Sequence, residues 1–226
     1  MLTLVLDSSA AVATAVVSND LEVLAVRSEE GSTLSLLHDL ARQALGDSGV
    51  PLSALDMVAA VRGPGSWTGL HVCVTTAKTL AQVIDRPLVG LSMLDCLAYT
   101  APAGAGTVCA LVDAKHDAYY SAFYAVADGK VQPVAAAGRR SLPDLAEELR
   151  RIGGGIDVVG VLSEPHRRQL DHDSGTPLNL TSQHYPTAEA FAAVAMAGRE
   201  AALVGEELHR LAPDYMQDDF TISSRK

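Results

Sequence analysis

Apolar and polar positions alternate along the first stretch of the chain with the period of a strand. Residues 2–6 form an apolar run ending at Asp7, residues 12–17 form a second, and Asn19-Asp20 supplies a turn before residues 21–26. This spacing predicts a three-strand meander. From Ser32 the period lengthens: Leu34, Leu37, Leu40, Ala41, Ala44 and Leu45 fall at helical spacing, so a helix is expected over 32–45, with Ser32 as its N-cap and Gly46 as its terminator. Residues 57–61 read as a short apolar strand that runs straight into Gly63-Pro64-Gly65-Ser66-Trp67-Thr68-Gly69, after which 70–84 is helical again. Another strand is predicted over 87–91, and Ser92 caps a helix carrying Met93, Leu94, Leu97 and Ala98.

After the linker-like stretch 102–106 the order repeats. Residues 108–112 are an apolar strand ending at Asp113, 119–126 a second, Asp128-Gly129 a turn, and 131–135 a third. A helix over 141–152 carries Leu142, Leu145, Leu149 and Ile152 on one face, 156–162 is the next strand, and an Ala-rich helix is expected over 187–204. Each half reads strand, strand, strand, helix, strand, helix, and the first strand of each ends in an Asp. The reading is a duplicated α/β protein whose two lobes, 1–105 and 106–226 with its tail, face each other across a cleft.

Composition narrows the classes. Of 226 residues, 48% are hydrophobic and 19% charged, and the formal net charge is −10. The acidity is spread evenly, with 5 basic against 10 acidic residues in 1–105 and 12 against 17 in 106–226. Binding a phosphate backbone draws on clustered Lys and Arg, so contact with nucleic acid is expected only through a partner. Cys73, Cys96 and Cys109 match neither a zinc pair nor a disulfide framework and read as small buried hydrophobes. The start of the chain lacks a basic flank, and Asp7 interrupts its apolar run, so neither a signal peptide nor a membrane span is expected, and the location expected is cytoplasmic.

The glycine-rich segment is the first chemical candidate, because a turn between strand and helix presents backbone N–H groups at a positive helix end. It is not a Walker A loop: Gly69 is followed by Leu70 and His71, and Lys78 lies about two helical turns on. Candidate nucleotide contacts are Asp7, Gly63, Gly65, Ser66, Thr68 and Gly69, and the competing reading is a tight structural turn. Asp7 and Asp113 stand at strand ends, where open α/β sheets place ligands, yet such carboxylates also cap local backbone. Ser66 lacks the Gly two positions earlier that a nucleophile elbow needs, since Pro64 is there. No two of the seven histidines stand four apart, so no local metal motif is present. The helix over 70–84 has apolar residues on more than one face, which leaves one face for a partner if the other packs on the sheet.

The order of these motifs resembles the TsaB (YeaZ) family of subunits needed for threonylcarbamoylation of a tRNA adenosine. The resemblance runs over nearly the whole chain and rests on LVLDSS, RGPGSWTGL followed by TAKTLA, PLVGLSMLDCLA, Asp113-Ala114-Lys115 leading to Tyr119-Tyr120, and PDYM near the end. It implies two ribonuclease-H-like lobes of the actin-like, sugar-kinase-like (ASKHA) superfamily. It implies a non-catalytic scaffold that pairs with the catalytic subunit TsaD and with the ATPase TsaE, meets tRNA only through that complex, and in isolation pairs with a second copy of itself. No intrinsic cofactor or metal is then expected, ATP and metal residing on the partners. The partner surface carried onto this chain comprises the helices over 32–45 and 70–84, with Leu37, Leu40, Trp67, His71, Val74 and Lys78 as contacts. The chain departs from the family pattern at Ser32 (His expected), Trp67 (Phe), His71 (Arg) and Gln217 (Arg). The alternative function is enzymatic: a nucleotide-binding ATPase using Asp7 and the glycine loop, or an M22-type glycoprotease-like enzyme of the same fold.

Overall fold

A computed structural model describes residues 1–31, 33–182 and 184–216, side chains excepted at 33–35. The expected cap Ser32 and the departure at Gln217 lie outside these residues. The first half folds as β1 (Leu2–Asp7), β2 (Val12–Asn19), β3 (Glu22–Glu30), α1 (Thr33–Ser48), β4 (Met57–Gly63), α2 (Trp67–Ile84), β5 (Leu88–Ser92) and α3 (Met93–Ala98). The second half contains β6 (Gly106–Asp113), β7 (Ala118–Ala127), β8 (Lys130–Ser141), α4 (Leu142–Ile152), β9 (Ile156–Gly160), α5 (Glu164–Ser174), β10 (Leu178–Leu180) and α6 (Ala188–Gly198).

The two sheets repeat one topology. The first has the order β3-β2-β1-β4-β5 and the second β10-β9-β6-β7-β8, which is the same order read from the other edge. In each, the first three strands form an antiparallel meander and the first strand pairs in parallel with the fourth. The tight β2–β3 turn places Asp20 at φ 50, a left-handed conformation that Asp tolerates. Register runs from Leu2↔Asn19 to Asp7↔Thr14, so Leu4 and Leu6 share one sheet face and Val5 the other.

Helices and sheets stack in five layers. Leu4, Leu6, Val58 and Ala60 face α1 and α2 in one core, and Cys109, Leu111, Phe123 and Val158 face α4 and α5 in another. Between the sheets lies a third core, joining Val5, Val61 and Leu91 of the first sheet to Val108, Ala110 and Tyr124 of the second through α3 and α6. The packing here is crossed. α3, from the first half, lies mainly against β6 and also touches β7 and β9 beside β4 and β5 of its own sheet, whereas α6, from the second, lies against β1, β2, β3 and β5. Tyr124 of β7 ties α3 down by donating to Asp95 Oδ1 at 2.6 Å.

Several expectations change. α1 continues through Gly46 to Ser48, because packing of Ala44 and Leu45 and a bond from Ser48 Oγ to Leu45 O (2.9 Å) outweigh the roughly 1 kcal/mol that a mid-helix Gly costs; Gly49, at φ +69, is the stop. The helix expected over 70–84 begins three residues earlier, on the Ser66 cap. The Ala-rich helix is shorter than expected, since α6 ends at Gly198 and short 3₁₀ turns follow. α5 was not expected: its polar sequence shows only Leu170 and Ser174 to the interior, yet Ser163 caps it and Glu164 pairs with Arg168 at 3.1 Å.

The assignment of the tail to the second lobe is also corrected. Residues 202–216 return across the first lobe as a strap. Leu203 bridges Leu88, Leu208 and Leu211 enter the core beneath α2, and the Asp214 N–H donates to Arg62 O at 2.6 Å.

Candidate functional site

β1 and β4 run parallel and end side by side, so Asp7-Ser8-Ser9 meets the start of the glycine-rich segment. The contact is made onto the backbone. Ser66 N–H donates to Ser9 O at 2.7 Å, Ser8 Oγ donates to Gly69 O at 2.9 Å, and the Gly63–Pro64 peptide is cis. A Cβ on Gly65 would lie 2.5 Å from Ser9 O, one on Gly69 only 1.8 Å from Ser8 O, and one on Gly63, at φ +142, 2.0 Å from Asp214 O. These three glycines are therefore dictated by close approach of neighbouring backbone. Gly65 and Gly69 turn toward the β1 end, and the Ser66 amide is consumed there.

This packing seals Asp7, which is 4% exposed. Burial pushes its pKa up to about 6, against the opposing effect of hydrogen bonds from Ser9, whose N–H donates to Oδ1 at 2.8 Å, and from Ser8. Asp113, its counterpart, is exposed. Partial burial pushes Asp113 upward, but Lys115, through its side chain at 2.6 Å, its N–H at 2.8 Å and its charge, outweighs this and holds the carboxyl below the usual range. The two carboxylates thus do not form a facing pair.

The interlobe cleft has a volume of about 680 Å³. Pro64, Gly65, Ser66 and Trp67 form one wall, and Asp113 and Lys115 stand on the other. Asp7, Gly63, Thr68 and Gly69, four of the six expected nucleotide contacts, do not line it; Gly65 and Ser66 do. The remaining lining is largely apolar, with Met93, Leu97, Leu111, Val112 and Val161, beside Tyr120, His184 and Tyr185, which sequence patterning did not mark. Among the described residues no group of three or more His, Cys, Asp or Glu stands together to hold a metal ion, and no helix is long and apolar enough to cross a membrane. All three cysteines are buried and unpaired, and Cys73 Sγ donates to Leu6 O at 3.1 Å.

The α1–α2 surface differs from the expected apolar one. Leu37, Leu40 and Val74 are 0%, 2% and 3% exposed and belong to the core between the helices and the sheet, so they are corrected as surface contacts. Their helical periodicity marks the face that the sheet needs. Outward, α1 shows His38, Asp39, Arg42 and Gln43, and α2 shows Thr75, Thr79 and Gln82 between two apolar ends, Trp67 and Val83, which are 66% and 73% exposed. Lys78 is half-buried and donates to His209 O of the strap at 2.9 Å. His71 lies against Trp67, ring centroids 4.2 Å apart, and its Nδ1 is 2.9 Å from Trp67 O.

The family model described as "TsaD: tRNA N6-adenosine threonylcarbamoyltransferase" matches residues 33–146. The tRNA threonylcarbamoyladenosine biosynthesis protein TsaB of Bacillus subtilis is 28% identical over 175 residues, which are 76% of this chain and 74% of that protein. The solved structure of YeaZ from Pseudomonas aeruginosa superposes with a TM-score of 0.78 at 25% identity, covering 95% of this chain and 99% of that one. A ROK hexokinase from Thermus thermophilus superposes with a TM-score of 0.50 at 13% identity, covering 89% and 99%. The likeness to the hexokinase is one of fold: the duplicated ribonuclease-H-like lobes of actin-like and sugar-kinase-like proteins.

Proposed function

Because the chain belongs to the TsaB (YeaZ) family, within the wider group described by the TsaD transferase model, we propose that it is a scaffold subunit for tRNA threonylcarbamoyladenosine biosynthesis. It pairs with a TsaD-type transferase and does not carry out the transfer itself. The observation that carries this reading is the use made of the glycine segment. The chain spends Gly65, Gly69 and the Ser66 amide on sealing Asp7, the carboxylate that the enzymatic alternative would need open to a ligand. The same segment ends in an exposed tryptophan at the head of α2.

In this reading the docking face is the outer side of α1 and α2. It is mainly polar and anchored by Trp67, the residue type most often found at the energetic centre of an interface. The even acidity of both halves favours contact with tRNA through the complex rather than by this chain alone. ATP and metal are assigned to the partner subunits, TsaE joins the pair, and a second copy of the chain uses the same face when the transferase is absent. The protein acts in the cytoplasm.

The test is the mass of the complex formed on mixing the chain with the transferase subunit of the same organism. A stable heterodimer is expected, and Trp67→Ala should weaken it at least tenfold with the fold unchanged by circular dichroism. ATP turnover by the chain alone that disappears on Asp7→Asn substitution would replace the scaffold reading with the enzymatic one.

A further inference from the structure

The strap reaches the docking face at Tyr215. Its backbone is fixed on both sides of that residue. Upstream, Leu211 is buried over Gly90, where a Cβ would lie 2.5 Å from Leu211 Cδ1. Asp214 is held by Arg62 through the main chain and by a side-chain pair at 3.0 Å, with Gly63 pressed against its carbonyl. Downstream, Met216 packs on the core between the lobes. The Tyr215 ring is thereby delivered to His71, ring centroids 5.9 Å apart, with its hydroxyl 3.1 Å from the imidazole nitrogens. The imidazole Nδ1 meets Trp67 O, and the Tyr215 hydroxyl, equidistant from the two ring nitrogens, lies over the face of the ring, so the ring is held at one edge and one face.

We propose that Tyr215 is a positioning residue of the docking face: it fixes His71 against Trp67, so that the strap is part of what the transferase subunit recognises. This rests on the docking reading above. The physical basis is preorganisation. An indole in the first turn of a helix and 66% exposed must give up rotamer freedom when it is buried in an interface, and a ring already packed at a tilt against a fixed imidazole has less to give up. Tyr215 lies 144 residues from His71 in sequence, so the cluster couples the strap to α2 at one surface point.

Trp67 is the only tryptophan, so its fluorescence reports the cluster directly in the free chain. The experiment compares wild type, Trp67→Ala, Tyr215→Ala and Tyr215→Phe by emission spectrum, thermal unfolding and calorimetric affinity for the purified transferase subunit. Tyr215→Ala is expected to shift Trp67 emission and weaken binding about tenfold at an unchanged unfolding midpoint, with Tyr215→Phe, which keeps the ring and loses the hydroxyl, about threefold weaker. If Tyr215→Ala binds like wild type while Trp67→Ala does not, the proposal is overturned and the docking reading stands. If Tyr215→Ala loses affinity but leaves Trp67 emission untouched, and Tyr215→Phe matches wild type in both, Tyr215 only anchors the strap and the proposal is again overturned. If the wild-type chain fails to bind, the docking reading falls and the proposal with it.

Discussion

The two halves build the same corner in two ways. In each, a first strand ends in Asp, and a fourth strand ends in a glycine at positive φ (Gly63, Gly160) followed three residues later by a serine that caps a helix (Ser66, Ser163). The capping bonds are equal in length, Ser66 Oγ to Gly69 N and Ser163 Oγ to His166 N both at 3.4 Å. The difference is the third residue of the helix. In the first half it is Gly69, which allows the helix to settle on the backbone after β1 and bury Asp7. In the second it is His166, whose ring stands between Tyr119 Oη (2.8 Å) and Asp117 (3.2 Å), and Asp113 remains open to solvent and to Lys115. Side chains at Leu162 and His166, where the first half has Gly65 and Gly69, thus accompany a solvated carboxylate in place of a sealed one.

Gly69→Ala is the strongest way to break this comparison. Its methyl would fall 1.8 Å from Ser8 O, which only backbone displacement can relieve, and a loss above about 4 kcal/mol or failure to fold is expected in a denaturant titration. Gly155→Ala, whose nearest neighbour is the Asn179 amide at 3.9 Å, should be close to neutral in the same titration.

Asp7→Asn follows in size, with the opposite sign. Between the unfolded value of 3.8 and the folded value of about 6, the native carboxyl keeps a proton that the unfolded one has lost, so stability falls as pH rises through that window. Asparagine carries no such penalty. The variant should be more stable than wild type by about 2–3 kcal/mol at pH 7, and the gain should vanish near pH 4, as thermal melts across pH will show. Asp113→Asn is the small counterpart. A lowered folded pKa stabilises above the unfolded value and that contribution is lost on acidification, so the substitution should destabilise at neutral pH. The Lys115 pair is exposed and screened, and the cost should stay under about 1 kcal/mol.

Much of this architecture is legible in the chain, because strand alternation, the Ser92 cap and the Asp that ends each opening strand are local signals. α5 is not legible, since Leu170 alone gives no apolar period and the helix rests on its cap and ion pairs. Leu37, Leu40 and Val74 show the limit of periodicity: it finds the apolar face of a helix but not whether a sheet of the same chain already covers it. The glycine segment was visible as a motif, yet its meaning depends on Ser8, Ser9 and Asp214, the last about 150 residues away, which no local pattern joins to it. Tyr215 was visible only as part of a tail motif.

The crossed placement of α3 and α6 has a consequence for heredity. Each half lends a helix to the other's sheet, so a gene fragment encoding either half alone would leave that sheet missing a helix of its cover, with Val5 and Leu91 or Val108 and Tyr124 laid bare. The two halves can differ in residues that touch only their own lobe, as at Gly69 and His166, while the exchanged helices hold both in one folding unit.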